Sequence, residues 1–212
     1  TTLFRSTELG LQGAQSGLLV SAGFLGMAIG ATTAGALADR FGRLRVFQFS
    51  MILWGTASVL LAFSWNFESA IVFRFMLGLG MGAEFPAAAA LLAEITPARK
   101  RGRALAWGSQ VSGALAFVAA GLLSLALIPT IGWRGFFLVE GALAVFVLVI
   151  RLAVPESPRW LESKGRFAEA DEIMTRIEAK TEKSYGKPLP APAREVHQAT
   201  PRSSGAVRAL FA

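Results

Sequence analysis

Apolar residues fill five long stretches of this chain, at about residues 17–38, 46–63, 69–92, 104–128 and 135–154, separated by short polar or charged segments. Each approaches or exceeds the roughly 20 residues an α-helix needs to cross the hydrocarbon core of a bilayer. Their inventory is Gly, Ala, Leu, Val and Phe with few charges, which suits helices packed on one another in lipid. The pattern predicts an all-α, polytopic membrane bundle over residues 1–154. After Pro155 it changes. Phe167, Ala170, Ile173, Met174 and Ile177 recur at helical spacing among Glu, Asp, Lys and Arg, which predicts an amphipathic helix within 155–186, lying at the membrane surface or against the helix ends. Residues 187–205 are rich in Pro, Ala, Ser and Thr and read as a flexible linker, and 206–212 as the start of a further membrane segment. The only histidine, His197, falls in that linker, as a solvated residue or a pH sensor.

A net charge of +7 raises the question of nucleic acid, and the distribution of that charge answers it. Arg40, Arg43 and Arg45 follow the first span, Arg99, Lys100, Arg101 and Arg103 the third, and Arg151, Arg159, Lys164 and Arg166 the fifth. The other two loops hold only Glu68 and Arg134. Lys and Arg on alternate loops are the positive-inside pattern, so the partner is a lipid bilayer of a plasma or inner membrane and not nucleic acid, with basic loops and linker cytoplasmic. Residues 1–16 then lie outside, and a chain opening there without a signal peptide reads as an internal fragment of a longer polytopic protein. The absence of cysteine excludes disulfides and thiolate metal sites. No catalytic or metal-ligating set can be assembled, so neither an enzyme nor a cofactor is expected.

Several motifs share an order and a side. Gly35-Ala36-Leu37-Ala38-Asp39-Arg40-Phe41-Gly42-Arg43-Leu44-Arg45 closes the first span. Arg74-Phe75-Met76-Leu77-Gly78 opens the third, which ends Glu94-Ile95-Thr96-Pro97 before Arg101-Gly102-Arg103. Pro155-Glu156-Ser157-Pro158-Arg159-Trp160-Leu161 follows the fifth. Together, over residues 8 to 183, the chain resembles the first half of a major facilitator superfamily transporter, nearest the sugar-porter and metabolite–proton symporter branches. The resemblance implies that the five spans are helices two to six of twelve, a transmembrane half-bundle lacking helix one and the C-terminal half of the same protein. It departs from the family at Leu44, where a second adjacent basic residue is common; Arg45 would substitute one position later.

What the resemblance implies about function is alternating-access transport of a small organic solute such as a carboxylate, an aromatic acid or a sugar, coupled to protons. Symport is favoured because the fourth span lacks the glycine–proline pattern of drug–proton antiporters. The alternative is a non-transporting receptor, scaffold or integral subunit that keeps the fold. Asp39 with Arg40, Arg43 and Arg45 would form a gating latch, with Gly35 and Gly42 allowing close approach and a tight turn. Glu94, Arg101, Arg103, Glu156 and Arg159 would form a cytoplasmic charge network. The plainer reading is that those arginines serve topology alone.

Ionisable groups at bilayer depth face a cavity or a partner, which makes Arg74, Glu84 and Glu140 candidates for substrate contact or proton coupling. Gln110 is a neutral hydrogen-bonding candidate. Each has a structural reading as well: Arg74 as a snorkelling charge, Glu84 paired with an arginine, Glu140 reaching for the outer boundary, and Gln110 bridging two helices. Gly26, Gly30, Gly78 and Gly82 sit four apart in pairs on apolar helices, so close helix packing explains them better than a nucleotide loop.

Overall fold

The computed structural model describes residues 13–96, 98–151 and 154–186, and every regular element among them is helical. The expected linker, His197 and the 206–212 segment lie outside the described residues. The helices are α1 (Gly13–Phe41), α2 (Arg43–Ala62), α3 (Phe67–Ile95), α4 (Ala98–Leu105), a π-helical turn (Ala106–Val111), α5 (Ser112–Arg151), α6 (Pro158–Ser163) and α7 (Phe167–Tyr185). Four helical stretches are long and apolar enough to cross a membrane, the last running from Arg99 to Arg151. Its 53 residues would measure about 80 Å as one rod, far more than a bilayer. Gly132 divides it: φ 70° and ψ 173° are non-helical and suit glycine alone.

The two limbs on either side of Gly132 run in opposite directions. Gly108 lies against Leu92 near the end of α3, so the first limb returns along α3. Beyond Gly132, Phe137 meets Ser58, Gly141 meets Val59, Ala144 meets Gly55 and Arg151 meets Phe47, so the second limb descends antiparallel to α2. Among the described residues the chain therefore makes five passes. The helices extend past the expected spans at most ends, because the backbone stays helical into the polar boundary until a glycine or a cap stops it.

The passes pack in the order α1 on α3, α3 on α2 and α2 on the second limb of α5. Small residues permit this. The buried positions of α1 are Leu19, Gly23, Gly26, Gly30, Ala34 and Ala38, one stripe at helical spacing. A Cβ on Gly26 or Gly30 would strike the carbonyl oxygens of Phe75 or Leu79, and one on Gly78 or Gly82 those of Gly23 or Met27. The glycines thus set the α1–α3 distance by backbone contact, as expected for packing in lipid.

One end of the bundle is held by Leu19, Leu61, Leu77, Trp133 and Phe137. There Arg134 donates from Nη1 to the Ala62 carbonyl at 2.7 Å and from Nη2 to the Ser64 carbonyl at 3.1 Å, capping the C-terminus of α2. The α2–α3 turn closes with a reciprocal cap. Asn66 Oδ1 accepts from the Ser69 amide at 2.8 Å, and Ser69 Oγ accepts from the Asn66 amide at 3.3 Å. Asn66→Ala is expected to cost about 1 kcal/mol and lower the thermal midpoint by a few degrees, read by tryptophan fluorescence of the purified protein.

At the other, arginine-rich end, α6 and the start of α7 form a small core of Trp160, Leu161, Ala170 and Ile173. Arg166 pairs with Glu169 on the exposed first turn of α7, at 2.6 Å from Nε, and holds that carboxyl below the usual range. The described residues through Met174 form one compact unit; those from Thr175 belong to a second, whose described part completes α7.

Candidate functional site

Three polar clusters are built into this apolar frame. The first lies at the arginine-rich end. Gly42, at φ 111°, ends α1 and starts α2 one residue later, with its α-carbon against Glu156 and Trp160. The sharp turn brings Arg43 back over the end of α1: Nη1 meets Asp39 at 2.8 Å and the Ala38 carbonyl at 3.1 Å. Arg43 Nε also meets Glu94, at the end of α3, at 3.0 Å. The second Glu94 oxygen accepts from Ser157 Oγ. Glu156 Oε1 accepts from the amides of Leu44 and Ser157, both at 2.9 Å. The first turn of α2 carries no acid of its own, so Glu156, 112 residues away, supplies the negative charge its N-terminus favours. Trp160 Nε1 donates to the Asp39 carbonyl at 3.1 Å.

Four ends are therefore tied together: those of α1, α2, α3 and α6. The partners differ from the expected ones. Asp39 pairs with Arg43, whereas Arg40 is exposed and lies over the Phe41 ring. Arg45, Arg103 and Arg159 are exposed, and no ion pair among the described residues involves them or Arg101. At Gly35 a Cβ would meet nothing within 4 Å, and among the described residues the close approach at this end is made at Gly42. Position explains this, since Gly35 faces outward while Gly42 is buried under the α6 junction.

The second cluster lies inside the spans. Glu84 of α3 accepts from Trp54 Nε1 of α2 at 2.9 Å and from Arg151 Nη2 of α5 at 2.7 Å. Arg151 is the last residue of α5, yet its guanidinium folds back along the helix, 3.7 Å from the centre of the Phe47 ring. Glu84 was legible as a candidate; Arg151 was not, because an arginine ending a span reads as a boundary charge.

The third cluster is nearer the Trp133 end. Glu140 of α5 faces Ser58 of α2, whose single hydroxyl proton can reach the Phe137 carbonyl at 3.0 Å or Glu140 Oε2 at 3.2 Å. Arg74 of α3 lies over Gly23 of α1, and its charge interacts with that of Glu140. The structure thus sets Arg74 and Glu140 within electrostatic reach of one another, without an ion pair between them, and gives Glu84 a different partner. Ser58 is not legible in the sequence, because one serine in an apolar helix carries little signal. Gln110 falls in the π-helical turn, and its side chain lies outside the described residues.

Glu84, Glu140 and Arg151 also border a cavity of about 560 Å³ between α2, α3 and both limbs of α5, with Phe47, Trp54, Phe85 and Phe117 on its walls. Among the described residues no group of three or more His, Cys, Asp or Glu could hold a metal ion.

The sequence carries a second, independent record of this architecture. The niacin transporter NiaP of Acinetobacter baylyi is 42% identical over 178 residues, 84% of this chain and 40% of that protein. The 4-hydroxybenzoate transporter PcaK of the same organism is 38% identical over 173 residues, covering 80% of this chain and 37% of that protein. The chain thus spans about two fifths of the length of these relatives. The structure of the proton:xylose symporter XylE bound to 6-bromo-6-deoxy-D-glucose superposes with a TM-score of 0.72 over 88% of this chain and 46% of that one, at 23% identity, a likeness of fold. The family model that matches residues 2–209 is the Major Facilitator Superfamily, and with the five-pass helical fold and these relatives it shows that this multi-pass membrane chain belongs to that superfamily.

Proposed function

We propose that the chain forms one half of a secondary transporter that takes up a small aromatic carboxylate together with a proton by alternating access. Support comes from Arg74, Ser58 and Glu140: an acid and a base on two different helices, with a hydroxyl from a third, sit within apolar spans at considerable cost unless a moving ion or solute uses them. The relatives point to the solute, since niacin and 4-hydroxybenzoate are both small aromatic acids. The basic loops face the cytoplasm by the positive-inside rule, which puts the Asp39–Arg43–Glu94–Ser157 linkage at the inner end, where it acts as a latch between conformations. The remaining part of the protein supplies the opposite wall of the pathway, as expected of transporters built from paired repeats.

The test is uptake of labelled niacin, 4-hydroxybenzoate and xylose into proteoliposomes of the full-length protein, with and without an imposed pH gradient. At one proton per monoanion, a gradient of one pH unit supports about tenfold accumulation. Glu140→Gln is expected to abolish that accumulation while leaving exchange between equal pools of solute. A protein that accumulates none of the three, or a Glu140→Gln variant that accumulates normally, would count against this reading.

A further inference from the structure

Ser58 uses its hydroxyl differently from Ser50, Ser64 and Ser124. Each of those donates to the carbonyl three residues back, the ordinary way a hydroxyl is satisfied in an apolar helix. Ser58 is fully buried, yet it reaches out of α2 to the second limb of α5, where the Phe137 carbonyl lies at 3.0 Å and Glu140 Oε2 at 3.2 Å. Phe137 and Glu140 are three residues apart, so both acceptors sit on the face of the limb turned towards α2. Glycines permit the approach: a Cβ on Gly55, one turn before Ser58, would strike Ala144, and one on Gly141, beside Glu140, would strike Val59. Glu140 has few charged neighbours among the described residues. Arg74 of α3 is within electrostatic reach but makes no ion pair with it, and Glu84 and Arg151, which border the same space, are paired with each other. The hydrogen bond that Glu140 does receive comes from Ser58.

Resting on the reading of Glu140 as the group that carries the proton, we propose that Ser58 is the positioning residue that keeps Glu140 hydrogen-bonded in both of its protonation states, with the Phe137 carbonyl as the alternative resting place of the Ser58 proton. A hydroxyl is a donor and an acceptor at once. While Glu140 is ionised, the Ser58 proton points at Oε2. When Glu140 takes a proton from water, its new O–H donates to Ser58 Oγ, and the Ser58 proton turns to the Phe137 carbonyl. Discharge of Glu140 to water on the other side of the membrane reverses both movements. One proton arrives and leaves on Glu140; Ser58 neither gains nor loses one, and only its hydroxyl rotates. Neither state then leaves a buried polar group of the pair unmet, a deficit that costs more than an ordinary hydrogen bond contributes. An arginine could not do this, since it donates to the carboxylate but accepts nothing from the acid.

The experiment compares Ser58→Ala and Ser58→Cys with wild type and Glu140→Gln in proteoliposomes of the full-length protein, using labelled niacin or 4-hydroxybenzoate, whichever the wild type accumulates. Ser, Cys and Ala are close in volume and fall in hydrogen-bonding strength in that order. The ratio of gradient-driven uptake to exchange between equal pools should fall about tenfold in Ser58→Ala, with little change in KM, and by less in Ser58→Cys. A residue that only braced α2 against α5 would lower both rates in step. Infrared difference spectra between acidic and alkaline buffer, with the Glu140→Gln spectrum subtracted, isolate the Glu140 carboxyl. Its C=O band should move to higher wavenumber in Ser58→Ala, where the acid has lost its partner, and part of the way in Ser58→Cys. An unmoved band, or an unchanged ratio of uptake to exchange, overturns the role of Ser58. A Glu140→Gln protein that accumulates normally instead removes the proton-carrier reading on which that role rests.

Discussion

Gly82→Ala is expected to lower the thermal midpoint of the purified protein by roughly 6 °C or more, corresponding to about 3 kcal/mol, whereas Gly17→Ala should leave it unchanged or slightly raised. Both changes add one methyl group to an apolar helix. At Gly82 the new carbon would overlap the Met27 carbonyl of α1, and backbone on both sides leaves nothing flexible to give way. At Gly17, on α1 itself, it would meet nothing within 4 Å and would bring only the better helix propensity of alanine. The α1–α3 contact repeats this arrangement at Gly26, Gly30 and Gly78. Forcing the helices apart at one point therefore loosens the neighbouring contacts, which puts the cost at the upper end for overpacking. Larger side chains at Gly82 should prevent accumulation of folded protein. Equal midpoints for Gly82→Ala and wild type would mean that the two helices can separate freely, and the glycine stripe would not define the fold.

The glycine pairs were legible in the sequence because four-residue spacing on an apolar helix has one dominant meaning in lipid. The five passes were legible for the same reason: hydrophobic length is set by bilayer thickness, a quantity outside the protein. Their limits were less so. Arg134 reads as a loop charge, yet it is helical and caps α2, because a single Gly132 suffices to reverse the chain. The motif residues at the arginine-rich end were recognised as a group, but their pairing was not. Composition cannot tell which of Arg40, Arg43 and Arg45 faces Asp39; the left-handed Gly42 decides it by turning Arg43 inward. Arg151 is the least legible of these residues. Its pair with Glu84 joins residues 67 apart in sequence, and only the antiparallel descent of α5 along α2 and α3 brings it there.

Arg43→Glu is expected to be among the most damaging single charge changes, and Arg43→Glu/Glu94→Arg should recover much of the loss. The two side chains are each 17% exposed and 3.0 Å apart, so truncating one strands a poorly hydrated charge at a cost of about 3 kcal/mol. Reversal costs more than truncation. A glutamate at position 43 would face Asp39 and Glu94 at the junction of four helix ends and leave neither of them an ion-pair partner among the described residues. The exchanged pair restores attraction between α2 and α3, though recovery should be partial, since Asp39 loses its arginine and an arginine at 94 cannot accept from Ser157 Oγ. A double-mutant cycle on thermal unfolding should return a coupling of about 2 kcal/mol, within the range for residues in direct contact. Transport distinguishes two roles for the same pair. If it only braces the bundle, the exchanged variant should transport in proportion to its recovered stability. If it must break and reform as the pathway opens and closes, Glu94→Gln, which keeps the Ser157 hydrogen bond and most of the stability, should still alter the balance between inward- and outward-facing states and slow uptake. A coupling near zero would remove the pair from both roles.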